Sequence, residues 1–122
     1  EGSGLYGWVK NGDLSISGGS ITEGIGQSRV PANLEGVVFD DAERIPDAEA
    51  LEQIFSMLAE EGLSVGGSAG INVAAAIRTA RKLGPGHTIV TILCDGGARY
   101  QSKLFNTAFL RERGLPTPAW LD

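Results

Sequence analysis

The sequence contains very little cysteine, and this scarcity excludes several kinds of protein. Cys94 is the only cysteine among 122 residues, so no internal disulfide can form. A reducing compartment, the cytoplasm, is therefore the expected location. Cys94 also has no partner at a metal-ligand spacing, so we expect no metal site and interpret the thiol as a small buried hydrophobe.

Positive charge and long apolar runs are scarce too. The chain has 10 basic and 15 acidic residues, for a formal net charge of -5. Because nucleic acids and anionic membranes bind basic surfaces, neither partner is expected. No apolar stretch is long enough to span a bilayer, and no secretory signal is visible. An initiator methionine is missing as well, so we expect the chain to begin inside a longer polypeptide.

Glycine, by contrast, is abundant. It occupies 18 of the 122 positions, about twice its usual share of roughly 7%. Such a chain turns sharply, or brings its backbone close to other groups, at many points. The hydrophobic fraction of 42% is sufficient for a buried core. A chain of this length fits one domain or part of a larger one.

The flanking parts of the chain predict short elements. A helix is expected around Leu5–Lys10 and a short strand at Ala42–Ile45. A longer helix follows Asp47 as its N-cap and ends at Gly62, because apolar side chains recur at helical spacing between them. The last helix is expected around Asn106–Arg113.

The middle of the chain predicts one βαβ unit, and hence an α/β fold class. A strand at Leu63–Val65 precedes a helix over Gly70–Leu83, which is apolar nearly all round and is expected to be buried. The β-branched run Thr88–Cys94 is typical of a parallel strand covered on both faces. Ligands of such sheets bind beyond the carboxyl ends of the strands. The glycine loops Gly66–Ser68 and Asp95–Gly97 should therefore face the same crevice.

Several short motifs can be explained without a ligand or a catalytic role. The pattern Gly2–Gly7 matches a dinucleotide-binding motif, but no strand precedes it, so we interpret it as chance. The stretch Gly66–Gly70 resembles a phosphate loop at a helix start but lacks the lysine of a Walker motif. His87 is expected to be a surface or turn residue. Asp95 and Arg99 are expected to form a structural ion pair rather than a catalytic one.

Ser68 is the candidate binding residue, and it has two interpretations. Serine is a preferred N-cap, and spacing alone favours that structural role. The functional alternative is a neutral hydroxyl aimed into the crevice, with Gly66 and Gly67 making room for a flat ring.

Three segments carry a resemblance to a known family. They are GGSAGINVAAAIRTARKLGPGHTIVTILCDGGARYQSKLFN, SITEGIGQSRVP and FLRERGLPTPAWL, which together occupy much of the chain. The sequence resembles the C-terminal part of the cysteine synthase (O-acetylserine sulfhydrylase) family, to which cystathionine β-synthase is closely related. These are fold-type II pyridoxal-phosphate enzymes. The resemblance implies a tryptophan synthase β-like fold, of which residues 1–122 form part of a three-layer open, mostly parallel sheet.

The resemblance also implies roles for three residues. Ser68 corresponds to the serine whose hydroxyl hydrogen-bonds the pyridine nitrogen of pyridoxal 5'-phosphate, and Gly67 and Gly24 line the cofactor. A neutral hydroxyl leaves that nitrogen largely unprotonated, which suits β-elimination and β-replacement. Asp95 is expected close to the ring, with no more than a supporting role. No residue of this chain is assigned as catalytic.

The family's Schiff-base lysine, substrate-carboxylate loop and phosphate loop all lie upstream of these segments. Lys10, Lys82 and Lys103 stand in the wrong contexts to replace that lysine. The chain alone is therefore expected to be inactive and to be the C-terminal portion of a larger catalytic fold. Its expected partners are the missing N-terminal part, an amino-acid substrate and, as implied by the family, a second copy of the enzyme in a homo-oligomer.

Three functions remain open from the sequence. The first is a cysteine synthase that makes L-cysteine from O-acetylserine and sulfide. The second is a related cystathionine β-synthase or cysteine desulfhydrase. The third, of another class, is an independent non-catalytic domain that binds a phosphate ligand or a protein partner. An upstream reading frame with Ser-x-Lys and Gly-Thr-Gly-Gly elements would favour the first two.

Overall fold

The computed structural model describes residues 3–16 and 18–121 and divides into two compact units. The first unit spans Glu1–Arg44 and the second spans Ile45–Asp122. Gly2, which opens the dinucleotide-like pattern, lies outside the described residues. Within the described ranges, no helix is both long enough and apolar enough to cross a membrane.

The first unit consists of one short helix and loops. Helix α1 (Gly4–Asn11) confirms the first predicted helix, and Gly12 closes it with a positive φ of 73°. A Cβ on Gly7 would lie 2.5 Å from the backbone oxygen of Asp13, so this glycine permits a close backbone approach. A 3-10 turn follows at Ala32–Leu34. The glycine at position 7 thus has a packing role that needs no nucleotide.

Two long helices form the centre of the second unit. Helix α2 (Asp47–Glu61) starts at Asp47, which is therefore its first helical residue rather than the predicted N-cap. Gly62 ends α2 in the left-handed conformation, as predicted. Helix α3 (Gly67–Leu83) begins at residue 67 rather than at the predicted residue 70. The two helices pack against each other.

The contact between α2 and α3 depends on a glycine. A Cβ on Gly70 would lie 2.5 Å from the backbone oxygen of Ala50 and 2.6 Å from the side chain of Ile54. Ala74 is buried, but Ile71 on the same helix is only half-buried. The prediction that α3 is buried all round is therefore wrong for this chain, because α2 covers only one of its faces.

Aromatic rings hold the end of the chain against α2. The ring of Phe55 meets Phe105 and Trp120 edge to face, with ring centroids 6.3 and 6.0 Å apart. Trp120 lies in a final 3-10 turn, Ala119–Leu121. The C-terminal tail is thus part of the second unit's packing.

Helix α4 (Thr107–Glu112) confirms the last predicted helix. The side chain of Asn106 precedes it and accepts a hydrogen bond from the N–H of Phe109 at 3.1 Å, as an N-cap residue does. Leu104 and Leu110 are almost fully buried. The segment therefore contributes to the core of the second unit.

Regular strands are missing from the described residues. The only sheet-type pairing among them is one antiparallel bridge between Val65 and Gly96. The strand predicted at Ala42–Ile45 is absent. The predicted strand Thr88–Cys94 forms no ladder, and Val90 within it is 87% exposed. The parallel βαβ sheet is therefore not confirmed by this chain alone, because a ladder needs a second strand alongside.

The segment before the second glycine loop is tied to α3 by a side chain. Asn72 donates from Nδ2 to the backbone oxygen of Ile92 at 2.9 Å and lies 3.4 Å from Sγ of Cys94. Cys94 is exposed, so the prediction of a buried thiol is wrong. The expected strand partners that would cover it are not among the described residues. His87 is exposed, as predicted, with Nδ1 3.4 Å from the backbone oxygen of Gly84.

Candidate functional site

The two glycine loops come together in the second unit, as the sequence predicts. The N–H of Gly66 donates to the backbone oxygen of Asp95 at 2.9 Å. The N–H of Gly97 donates to the backbone oxygen of Ser64 at 3.2 Å. These two hydrogen bonds form the antiparallel bridge between Val65 and Gly96 that joins the loops. They hold the start of α3 beside the turn that begins at Asp95.

Position 66 requires glycine because other side chains of the protein fill the space beside it. A Cβ on Gly66 would overlap the carboxylate of Asp95 and would lie 2.6 Å from Cε2 of Tyr100. Two side chains of the neighbouring loop therefore account for the glycine on that side, and the expectation that Gly66 makes room for a flat ring stays a prediction. Gly67 is buried at the start of α3. Its contact with a cofactor stays a prediction.

Ser68 does not cap its helix. The N-cap position of α3 is Gly66, no side chain bonds there, and Ser68 lies inside the first turn. Its hydroxyl donates instead to Oδ1 of Asp95 at 3.5 Å. That distance is at the outer limit for a hydrogen bond, so a closer acceptor would compete effectively for the hydrogen. The half-buried hydroxyl is thus suited to binding a further polar atom.

Asp95 is held from its other side by a tyrosine that the sequence did not single out. The hydroxyl of Tyr100 donates to Oδ2 of Asp95 at 2.5 Å, a short charge-assisted bond. Tyr100 ends a 3-10 turn, Gly97–Tyr100, that starts in the second glycine loop. Arg99 is exposed and forms no ion pair with Asp95, so the predicted pair is wrong. A signal was available: in the segment CDGGARY a short turn returns the tyrosine to the aspartate.

The helix start gives this site a directed electrostatic field. Helix α3 runs for 17 residues, and its N-terminus carries a partial positive charge from the unpaired N–H groups of the first turn. Basic residues Arg81 and Lys82 lie at the opposite end. Near Ser68 this field opposes a positive charge, whereas the carboxylate of Asp95, with Oδ1 3.5 Å from the Ser68 hydroxyl, favours one. Because the carboxylate engages the serine hydrogen only weakly, the hydroxyl can still donate to a neutral nitrogen, and in this respect the residues present fit a pyridine ring.

Gly24 lies in the first unit, in a conformation that requires glycine. Its φ is +79°, it is exposed, and no atom lies within 4 Å of a Cβ built on it. Its backbone oxygen is 3.4 Å from Nε2 of Gln27. The turn explains the glycine by itself, and the predicted contact of Gly24 with a cofactor stays a prediction.

Lys10 has a partner that makes it a poor Schiff-base residue. Its ammonium group forms a hydrogen-bonded ion pair with Asp41 in the first unit. This hydrogen bond raises the pKa of Lys10 above its ordinary value. A Schiff base forms from a neutral amine, so the interaction with Asp41 opposes that role.

Comparison with known proteins identifies the enzyme family of this chain. The family model described as "Pyridoxal-phosphate dependent enzyme" matches residues 4–95. The chain belongs to this family. Its fold is thus part of the fold-type II pyridoxal-phosphate enzyme fold, as the resemblance implied.

The individual relatives that match this chain include cysteine synthases and a cystathionine β-synthase. The chain is 45% identical to cysteine synthase 1 of Emericella nidulans over 93% of its own length and 32% of that protein. It is 40% identical to cysteine synthase 2 of Schizosaccharomyces pombe, over 99% of this chain and 34% of that one. Cystathionine beta-synthase of Oryctolagus cuniculus is 37% identical over 76% of this chain and 17% of that protein. The predicted resemblance to cysteine synthases is therefore confirmed.

A solved structure agrees with these relatives. A crystal structure of an O-ureido-L-serine synthase mutant with O-ureido-L-serine bound has a TM-score of 0.68 to this chain and 28% identity. The match covers 92% of this chain and 36% of that one. The chain thus spans about a third of the length of the cysteine synthases that it matches.

Proposed function

We propose that this chain is the C-terminal portion of a pyridoxal-phosphate-dependent cysteine synthase. The complete enzyme would exchange the acetate group of O-acetylserine for sulfide, giving L-cysteine and acetate. Identities of 40–45% to two cysteine synthases over nearly the whole chain support this activity. The single structural observation that carries it is Ser68, a neutral hydroxyl in the first turn of α3 whose present hydrogen bond is long.

Ser68 would hold the ring nitrogen of the cofactor. When bound, the cofactor withdraws electrons from the amino-acid substrate, so that a leaving group can depart from its β-carbon. The Ser68 hydroxyl would donate its hydrogen to the ring nitrogen, and the N-terminal field of α3 would disfavour a proton on that nitrogen. A hydrogen bond withdraws less electron density from the ring than a full proton does, which suits β-replacement. Gly67 and Gly24 would line the cofactor through their backbones.

The remaining two-thirds of the fold would complete the site. A Schiff-base lysine, a loop for the substrate carboxylate and a loop for the cofactor phosphate belong to that part in our proposal. Thr88–Cys94 would join its mostly parallel sheet, which would cover the exposed side chains of Val90 and Ile92. We also propose that the complete enzyme is a homo-oligomer and works in a reducing compartment, the cytoplasm.

Cystathionine β-synthase is the second candidate function, because one such enzyme is 37% identical over three-quarters of this chain. The related cysteine desulfhydrase activity would use the same cofactor contacts. An independent non-catalytic domain has less support, since the enzyme family model spans residues 4–95.

The activity is tested on the complete polypeptide that carries this chain, loaded with pyridoxal phosphate. L-cysteine should form from O-acetylserine and sulfide faster than cystathionine forms from serine and homocysteine. It should also form faster than sulfide is released from cysteine. Preference for either of the other reactions would reassign the enzyme within the family. Absence of all three, with the cofactor bound, would contradict the proposed activity.

A further inference from the structure

The carboxylate of Asp95 accepts two hydrogen bonds of very different length. Tyr100 donates to Oδ2 at 2.5 Å, whereas Ser68 donates to Oδ1 at 3.5 Å. Both donors are half-buried, and so is the carboxylate. The tyrosine is therefore the principal partner of Asp95, and the serine is only weakly engaged.

The difference matters because a serine hydroxyl has a single hydrogen. If Asp95 held that hydrogen firmly, Ser68 could only accept from a ring nitrogen, and only a protonated nitrogen can donate. A carboxylate closer to the ring would favour the same protonated form through its charge. A loosely bound Ser68 hydrogen, in contrast, remains available to an unprotonated nitrogen.

Resting on the function proposed above, we propose that Tyr100 is a positioning residue for Ser68. Its hydroxyl ties Asp95 through Oδ2 and so keeps the carboxylate from taking the Ser68 hydrogen. The backbone supports this arrangement, because the N–H of Gly66 fixes the backbone oxygen of Asp95 at 2.9 Å. Gly66 also lies directly against the carboxylate and the Tyr100 ring, which leaves both side chains little room to turn.

The test follows the protonation of the ring nitrogen itself. The complete enzyme is loaded with pyridoxal phosphate labelled with ¹⁵N in the ring, and the ¹⁵N chemical shift is measured against pH. Tyr100→Phe frees the carboxylate and should raise the ratio of protonated to unprotonated nitrogen about tenfold, one pH unit in the titration. Adding Asp95→Asn to Tyr100→Phe removes the charge and should return the protonated fraction to that of the parent or below it.

A control variant and a more conservative substitution at position 100 complete the experiment. Tyr6→Phe deletes a tyrosine hydroxyl in the first unit and should leave the ¹⁵N titration unchanged. If Tyr100→Phe fails to fold, 3-fluorotyrosine placed at position 100 keeps the ring and strengthens the donor. It should lower the protonated fraction.

The outcomes separate this inference from the proposed function. A parent enzyme that binds no pyridoxal phosphate contradicts the function, and the inference with it. A parent that binds the cofactor, with a Tyr100→Phe titration equal to its own, overturns the role of Tyr100 alone. A shift that persists in the double variant would also overturn it, because the charge of Asp95 would then not be the cause.

Discussion

At the scale of one residue, the hydroxyl of Ser68 links the fold to the proposed chemistry. In the complete enzyme, Ser68→Ala removes one hydrogen bond to the cofactor, worth about 0.5–1.5 kcal/mol, so cofactor affinity should fall by about two- to tenfold. Ser68→Asp should instead raise the protonated fraction of the ring nitrogen and slow β-replacement. Cofactor titration and steady-state assays measure both effects.

The control is another serine that donates to a carboxylate. Ser56 donates to Oε1 of Glu60 at 2.8 Å on the exposed side of α2, so Ser56→Ala should bind the cofactor as the parent does. Parent-like affinity and turnover in both Ser68 variants would leave the serine with no role toward the cofactor.

The lysines give a second residue-scale prediction. The chain alone, mixed with pyridoxal phosphate, reduced with borohydride and digested, should show only scattered labelling. Lys10 in particular should label weakly, because its interaction with Asp41 keeps the amine protonated. A stoichiometric adduct on one lysine, identified by peptide mass spectrometry, would mean that this chain carries its own Schiff-base residue.

At this scale, the sequence predicted where the site residues lie better than it predicted which side chains they contact. Ser68 and Asp95 were placed in one crevice from the strand-helix pattern, and the contact between their loops is confirmed. The packing of Gly66 against Asp95 and Tyr100 was not predicted, because it depends on how two loops some 30 positions apart pack together. The predicted pairing of Arg99 was wrong and Tyr100 was missed for a local reason, because the geometry of the Gly97–Tyr100 turn decides which side chain meets the carboxylate of Asp95.

At the scale of elements, the α2–α3 contact should be sensitive to one methyl group. Gly70→Ala would push a Cβ against the backbone oxygen of Ala50, so overpacking should destabilise the second unit by about 1–3 kcal/mol. Gly19→Ala is the control, because nothing lies within 4 Å of its Cβ position. Urea unfolding measures both variants, and a Gly70→Ala midpoint equal to that of the parent would show that the α2–α3 contact accommodates the methyl group.

Helices and strands differed in how well the sequence predicted them. Helices α1, α2 and α4 were found near their predicted positions, because periodicity, caps and glycine ends are local signals. Thr88–Cys94 has a strand sequence but no ladder among the described residues, because a strand needs a neighbour from elsewhere in the fold. Helix α3 likewise has apolar residues on a face that α2 does not cover, and these residues also need a neighbour from elsewhere in the fold.

At the scale of the whole molecule, the second unit exposes several large apolar side chains. They are Leu63, Leu83, Val90, Ile92, Leu93 and Trp120. Three of them lie close together in the segment 90–93, and contiguous exposed apolar surface marks sites that bind other protein. We therefore expect the purified chain either to self-associate or to bind the upstream part of the fold, and sedimentation at low concentration measures this. A compact, monodisperse monomer with a cooperative thermal transition would instead mean that the chain is a complete folding unit.

The edge-to-face contact of Trp120 with Phe55 also provides an optical probe. The sequence has two tryptophans, and each unit contains one: Trp8 beside Phe39 in the first, and Trp120 beside Phe55 in the second. Replacing either tryptophan by phenylalanine leaves a single tryptophan, whose selectively excited emission reports on the unit that contains it. Emission during unfolding can therefore be recorded from each unit separately, without a label.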